Sequence, residues 1–137
     1  PIRQLLDAHT VVIAAGGGGI PVVREGSRLV GREAVIDKDL ASEQLAQDVG
    51  AEVLLILTDV ENVYLNYNQP DQERLGRVTV SEMKEYVEEG HFARGSMKPK
   101  VEAGIKFVED GGKKAVITSL DKVLDALEGK TGTTITQ

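Results

Sequence analysis

The segment Glu52-Val53-Leu54-Leu55-Ile56-Leu57 constrains the fold more than any other, because it is apolar almost throughout and gives way at once to Thr58-Asp59-Val60. A strand with one wet face alternates apolar and polar residues, so an unbroken run describes a strand covered on both faces. Such a strand needs helices on either side, and the chain supplies them in alternation. Val11-Val12-Ile13-Ala14 reads as a first buried strand, Lys114-Ala115-Val116-Ile117-Thr118 as a third and Thr133-Thr134-Ile135-Thr136 as a short terminal one. Val22 to Val30 divides into the two arms of a small hairpin turning at Glu25-Gly26-Ser27.

Between the strands lie helical spacings. A helix is predicted from about Leu40 to Val49, with Leu40, Ala41, Leu45 and Val49 on one face, Asp37 or Asp39 as its cap and Gly50 as its stop. A second runs from about Ser81 to Glu89 with Ser81 as its cap, and a longer one follows to about Asp110, burying Val101, Ile105 and Val108 and ending at Gly111-Gly112. Leu120 to Leu127 is the last, and the polar stretch Asn66 to Gly76 reads as an exposed loop. This rhythm predicts an α/β fold with a largely parallel sheet, residues 1–137 forming a single domain. The chain opens without Met inside an amphipathic helix with Ile2, Leu5, Leu6 and His9 at helical spacing, which leads us to expect that an N-terminal part precedes it.

Composition removes several classes of function. Without cysteine there is neither a disulfide framework nor a cysteine-based zinc site, and the cytoplasm is the default compartment. A formal net charge of −6 argues against broad binding to a nucleic-acid backbone, so a polyanionic ligand must be held by a few placed cations. No apolar run reaches the ~20 residues of a membrane span. His9 and His91 stand alone, without metal-ligand spacing, and are read as structural or solvated; no Ser-His-Asp or Cys-His set can be assembled.

Four motifs remain. Gly16-Gly17-Gly18-Gly19 at the end of the first predicted strand is either a tight turn or a cradle of backbone N–H groups for an anion. Asp37-Lys38-Asp39 is either a solvated charge cluster at a helix cap, the better reading in isolation, or a device that turns a lysine toward a phosphoryl group. Lys98-Pro99-Lys100 places two lysines at a helix start, the wrong sign for the dipole there unless an anion is near. Thr58-Asp59-Val60 leaves a buried strand where open α/β sheets place ligand contacts. Gly129-Lys130-Thr131 is not a P-loop: Leu124 stands where the motif needs its first glycine, and the tripeptide follows a helix instead of opening one.

Taken in order, Ala14 to Val22, Ile36 to Ser42, Leu57 to Val60, Gly90-His91-Phe92, Gly95 to Val101 and Leu127 to Thr133 resemble the C-terminal part of a carbamate kinase, a member of the amino-acid kinase fold. The resemblance covers essentially the whole chain. It implies the C-terminal half of a three-layer α/β sandwich and reversible phosphoryl transfer between ATP and carbamate, run toward ATP from carbamoyl phosphate and ADP in arginine fermentation. It implies Lys100, Asp39 and Lys38 as catalytic residues: Lys100 on the transferring phosphoryl group, Asp39 holding the lysines, Lys38 near the phosphates. Gly16, Gly17 and Gly18 would face carbamate, while Thr58, Asp59, Val60, Tyr64, Gly95, Ser96 and Met97, with Lys100, would line the nucleotide site. No residue is assigned to a metal; Mg²⁺ is expected with ATP or ADP. The resemblance further implies a cytoplasmic homodimer with no nucleic-acid or membrane partner.

Carbamate kinases also carry an N-terminal half with a first substrate loop and a further catalytic lysine. The chain alone is therefore expected to be inactive, with one sheet edge unpaired and marginal solubility. The alternatives are another amino-acid kinase, a non-catalytic nucleotide-binding module, or a structural α/β domain whose lysines and glycines serve only caps and turns.

Overall fold

The computed structural model describes residues 1–137. Helix α1 (Ile2–Asp7) opens the chain, and strands β1 (Val22–Glu25) and β2 (Arg28–Gly31) form the predicted antiparallel hairpin, with Gly26 at φ 61° supplying its turn. Then follow α2 (Lys38–Val49), β3 (Val53–Thr58), the two-residue strands β4 (Tyr64–Leu65) and β5 (Glu73–Arg74), and β6 (Arg77–Thr79). Helices α3 (Val80–Glu89) and α4 (Met97–Glu109), strand β7 (Lys114–Ser119), a 3₁₀ turn over Leu120–Lys122, α5 (Val123–Leu127) and β8 (Thr133–Thr136) complete it.

The main sheet runs β3-β7-β8-β6, with β3 parallel to β7, β6 parallel to β8, and β8 antiparallel to β7. Register explains the apolar runs. Leu54 and Ile56 stand opposite Ala115 and Ile117, and these four join the core under α4 with Val101, Ile105, Phe107 and Val108. On the other face Thr118 packs near Ala126 of α5, so tightly that a Cβ on Gly132 would meet both. Helices thus cover both faces of β7, as its unbroken burial from Ala115 to Thr118 requires. Gly104 lets α4 approach the sheet: a Cβ there would come 2.8 Å from the Ile135 methyl.

Several expectations change. Val11-Val12-Ile13-Ala14 is not a strand; Val11 is 92% and Ile13 98% exposed. Its propensity is right, but no neighbour accepts its N–H groups, and a strand without a partner leaves its backbone to water. Helix α3 is capped by Thr79 and not by Ser81, because Glu82 stands three residues after Thr79 and closes a capping box: Thr79 Oγ1 accepts from the Glu82 N–H at 3.3 Å, and Glu82 Oε2 accepts from the Thr79 N–H at 2.8 Å. Lys84, three after Ser81, has no acceptor with which to return such a bond.

The 66–76 segment is more structured than a loop. Its end pairs back on β4, and Leu75 is buried, donating its N–H to the Val63 carbonyl at 2.9 Å. The expected Leu120–Leu127 helix is split, the Ser119 hydroxyl donating to Asp121 at 2.6 Å within the tighter first turn.

Candidate functional site

Strand β3 delivers Thr58 at its carboxyl end, where the chain turns through Asp59 and Val60 toward β4. Opposite stands the segment between α3 and α4. Between them opens a cleft of about 510 Å³, within the usual size range of small-molecule sites. Thr58, Asp59, Val60, Tyr64, Ser96 and Met97 line it, six residues singled out from sequence. The Thr58 hydroxyl donates to Asp59 Oδ1 at 3.0 Å, and Tyr64 lies against Tyr67 with ring centroids 5.9 Å apart. Gly95 does not line the cleft, although Ala93 and Ser96 do.

The far wall was not anticipated in detail. His91 and Phe92 line the cleft, and His91 Nε2 lies 3.0 Å from Glu89 Oε2 with its ring edge-on to Tyr86. Asn66, Tyr67 and Gln69 complete the rim. Asn66 adopts φ 49° and its side-chain amide donates to Asp71 at 2.8 Å, so the rim is shaped by an asparagine turn that the polarity of the stretch conceals.

Met97 and Ser96 are also the start of α4. No side chain caps that end; the Ala93 carbonyl accepts from the Lys98 N–H at 3.0 Å, and the rest of the positive dipole is turned toward the cleft. One turn further along, Lys100 meets Asp39 across 61 residues of sequence: Lys100 Nζ donates to Asp39 Oδ2 at 2.9 Å, both side chains being 13% exposed. Lys38 Nζ donates to the other oxygen, Oδ1, at 3.0 Å, from a side chain left 63% exposed. Asp37 makes this possible. It caps α2 by accepting from the N–H groups of Asp39 at 2.8 Å and Leu40 at 3.2 Å, which leaves the Asp39 carboxylate free to bridge both lysines.

Burial pushes the Asp39 carboxyl up, but hydrogen bonds and charge from Lys100 and Lys38 outweigh it and hold the group below its ordinary 3.8. The bond to Asp39 chiefly raises Lys38, which keeps its proton accordingly. Two ammonium groups fixed on one carboxylate beside a helix N-terminus form a cationic platform suited to phosphoryl oxygens.

The tetraglycine stands apart from the cleft lining. Gly16 and Gly17 have no atom within 4 Å of a would-be Cβ, whereas a Cβ on Gly18 would run into the Ile36 carbonyl, so Gly18 packs on the backbone that enters α2. Residues of metal-ligating type come together nowhere in a group of three. No helix is long and apolar enough to cross a membrane.

Residues 1–119 match the model of the amino acid kinase family. The carbamate kinase of Thermococcus kodakarensis is 57% identical over 134 residues, which cover 98% of this chain and 42% of that protein. The carbamate kinase of Oenococcus oeni is 53% identical over 136 residues, 99% of this chain and 44% of that one. Among solved structures, carbamate kinase from Giardia lamblia bound to AMP-PNP superposes with a TM-score of 0.93 at 47% identity, covering 99% of this chain and 48% of that chain. N-acetylglutamate synthase from Neisseria gonorrhoeae, complexed with coenzyme A and L-arginine, shares the fold at 20% identity with a TM-score of 0.69, over 98% of this chain and 30% of that one. The chain spans less than half the length of the curated relatives it matches.

Proposed function

Because the chain belongs to the amino acid kinase family, we propose that it is the nucleotide-binding, phosphoryl-handling portion of a carbamate kinase, working within a longer protein. The observation that carries this is the bridge Lys38–Asp39–Lys100, one helical turn from a small-molecule cleft at the carboxyl end of β3. Phosphoryl transfer asks little covalent chemistry of a protein and much positioning and charge.

In this reading Thr58, Asp59, Val60, Tyr64, Ser96 and Met97 seat the nucleoside of ATP or ADP, and the free end of α4 turns its dipole to the phosphates. Lys100 neutralises charge on the phosphoryl group in transfer, and Lys38 does so from the solvent side. Asp39 keeps both ammonium groups aimed. Gly16, Gly17 and Gly18 present backbone N–H groups to carbamate or to the carbamoyl end of carbamoyl phosphate. Mg²⁺ would arrive on the nucleotide, supplying charge that no acidic cluster of this chain is built to hold in place. Identity of 57% to a carbamate kinase supports this substrate over the amino-acid carboxylates of other family members. The resemblance likewise supports a cytoplasmic homodimer in arginine fermentation.

Calorimetric titration of MgADP and MgATP into the 137-residue chain tests the nucleotide assignment. Micromolar binding is expected, and no binding by the folded chain would remove it. In a protein of the relatives' full length, Lys100→Ala should lower turnover about 10²-fold or more and nucleotide affinity far less. A fall within about threefold, under 1 kcal/mol of barrier, would cancel the role of Lys100. Phosphoryl transfer by that protein to an amino acid and not to carbamate would move the reading to another amino-acid kinase. Binding without any turnover would leave a nucleotide-binding module.

A further inference from the structure

Helix α2 presents Asp39, Glu43 and Gln47 at intervals of four, a single stripe down one face, and all three reach α4. Asp39 takes Lys100; Glu43 Oε2 lies 2.9 Å from Lys106 Nζ; the Gln47 amide donates to the Phe107 carbonyl at 2.8 Å. The middle contact is the odd one. Glu43 is wholly buried, and the Lys106 ammonium approaches off the line of a hydrogen bond, so that neither carboxylate oxygen has a hydrogen-bond donor. A buried carboxylate is costly, and an apolar side chain of its size would fill the space without that cost. Lys106 does not need it, since Asp110 holds the same ammonium at 2.7 Å.

A buried charge with one counter-ion fixes position as few apolar contacts do. Apolar side chains slide past one another by fractions of an ångström at small cost, whereas Glu43 is wholly buried and its counter-ion Lys106 stands 45% exposed at the surface, so that every such step of Glu43 from Lys106 weakens the interaction that offsets its burial. One helical turn beyond lies Asp39, whose own partner is on α4 too. We propose that Glu43 is a positioning residue: with Lys106 it sets the register and rotation of α2 against α4, and so holds the Asp39 carboxylate on Lys100. Its relevance to phosphoryl handling rests on the function proposed above; the geometric effect can be measured without turnover.

The groups around Asp39 give the test a sign. Lys38 and Lys100 face it as cations, Asp37 and Glu43 are the neighbouring anions on α2, and Lys106 lies beyond Glu43 on α4. Removing the charge of Glu43 takes an anion away and, acting only through charge, would lower the Asp39 titration midpoint. Loosening the Lys100 pair would raise it. The experiment is a ¹³C NMR titration of the aspartate carboxyls in the 137-residue chain, with the Asp39 signal assigned by its loss in Asp39→Asn. Native protein should titrate below 3.8 at Asp39. Glu43→Met and Glu43→Gln, neither of which carries the charge that anchors α2 to Lys106, should both raise that midpoint.

A midpoint unchanged or lowered in either variant overturns the proposal and returns Glu43 to packing. Should Glu43→Met fail to fold, the double variant Glu43→Met with Lys106→Met removes the same contact without changing net charge, and the same rise is expected there. Failure of the proposed function would show as absent nucleotide binding and would leave this titration untouched.

Discussion

Residues before Glu43 and residues from Glu43 onward are written in the same apolar vocabulary and fold to opposite ends of the burial scale. Val11-Val12-Ile13-Ala14 and Leu54-Leu55-Ile56-Leu57 are both short apolar runs that end in a polar or glycine-rich turn. Leu54 and Ile56 are buried because β7 bonds their backbone and α4 covers their side chains; Ile13 is 98% exposed because nothing does either. No residue before Glu43 is buried. A strand is thus not a property of its own residues. β3 forms one margin of the main sheet, bonded to β7 on one side and to no strand on the other.

The sharpest way to widen this contrast is to cut into the second region. Phe107 is fully buried on α4 and its ring also closes off the turn at Gly112, where a Cβ would collide with it. Phe107→Ala should cost about 3–5 kcal/mol, a large share of the ~5–15 kcal/mol that holds an ordinary domain together. Urea denaturation followed by circular dichroism measures it. A loss below about 1 kcal/mol would mean that the core is less tightly packed than its burial indicates.

The next effect falls where the two regions meet, at Asp39. Its carboxyl is held below the ordinary value, so its contribution is present above about pH 4 and is lost as pH falls through the lower folded value. Asp39→Asn should cost about 1.5–3 kcal/mol at pH 7, the range for hydrogen bonds to charged groups. The gap between native and variant urea midpoints should close on acidification. A gap that persisted when both were acidified would mean that Asp39 stabilises α2 through its shape and not through its charge.

What the sequence revealed follows the same division. The run Lys114–Thr118 is legible because only double burial tolerates it, whereas Val53–Leu57, expected to be covered on both faces, buries only Leu54 and Ile56 and leaves Leu57 39% exposed, since it lies at the sheet margin; the β1–β2 hairpin is legible because Gly26 must supply a positive φ. The Lys100–Asp39 bridge spans 61 residues, and no local spacing encodes it; only the resemblance to a family points to it. Glu43 was missed because a glutamate in an amphipathic helix is ordinarily read as solvent-facing, and nothing near it in sequence announces Lys106. The Thr79 cap is in plain view as Thr-x-x-Glu, and Ser81, two residues on, lacks the returning carboxylate.

That cap gives a smaller and cleaner contrast within one turn. Thr79→Ala should cost about 1 kcal/mol and Ser81→Ala no more than about 0.5 kcal/mol. Equal losses would mean that both hydroxyls share the helix start. Thr79 also joins β6 to α3, so its loss should loosen the sheet margin far from β3, a shift that amide hydrogen exchange at Arg77 to Thr79 can follow.

The smallest expected effect tests the comparison most directly. In the 137-residue chain Ile13→Ala should change stability by no more than about 0.5 kcal/mol, since a side chain in water on both sides of folding has nothing to lose. In a protein of the relatives' length the same substitution should cost about 2–5 kcal/mol if the added chain covers this segment and draws it onto the sheet. The amides of Val11 to Ala14 should then exchange slowly, while in the short chain they exchange at the rate of an open backbone. A null effect in both lengths would mean that the apolar run is never a strand and that the contrast between the two regions belongs to the family, not to the missing cover. A large effect in the short chain would mean that Ile13 already finds a partner, and that β3 is bonded on both sides.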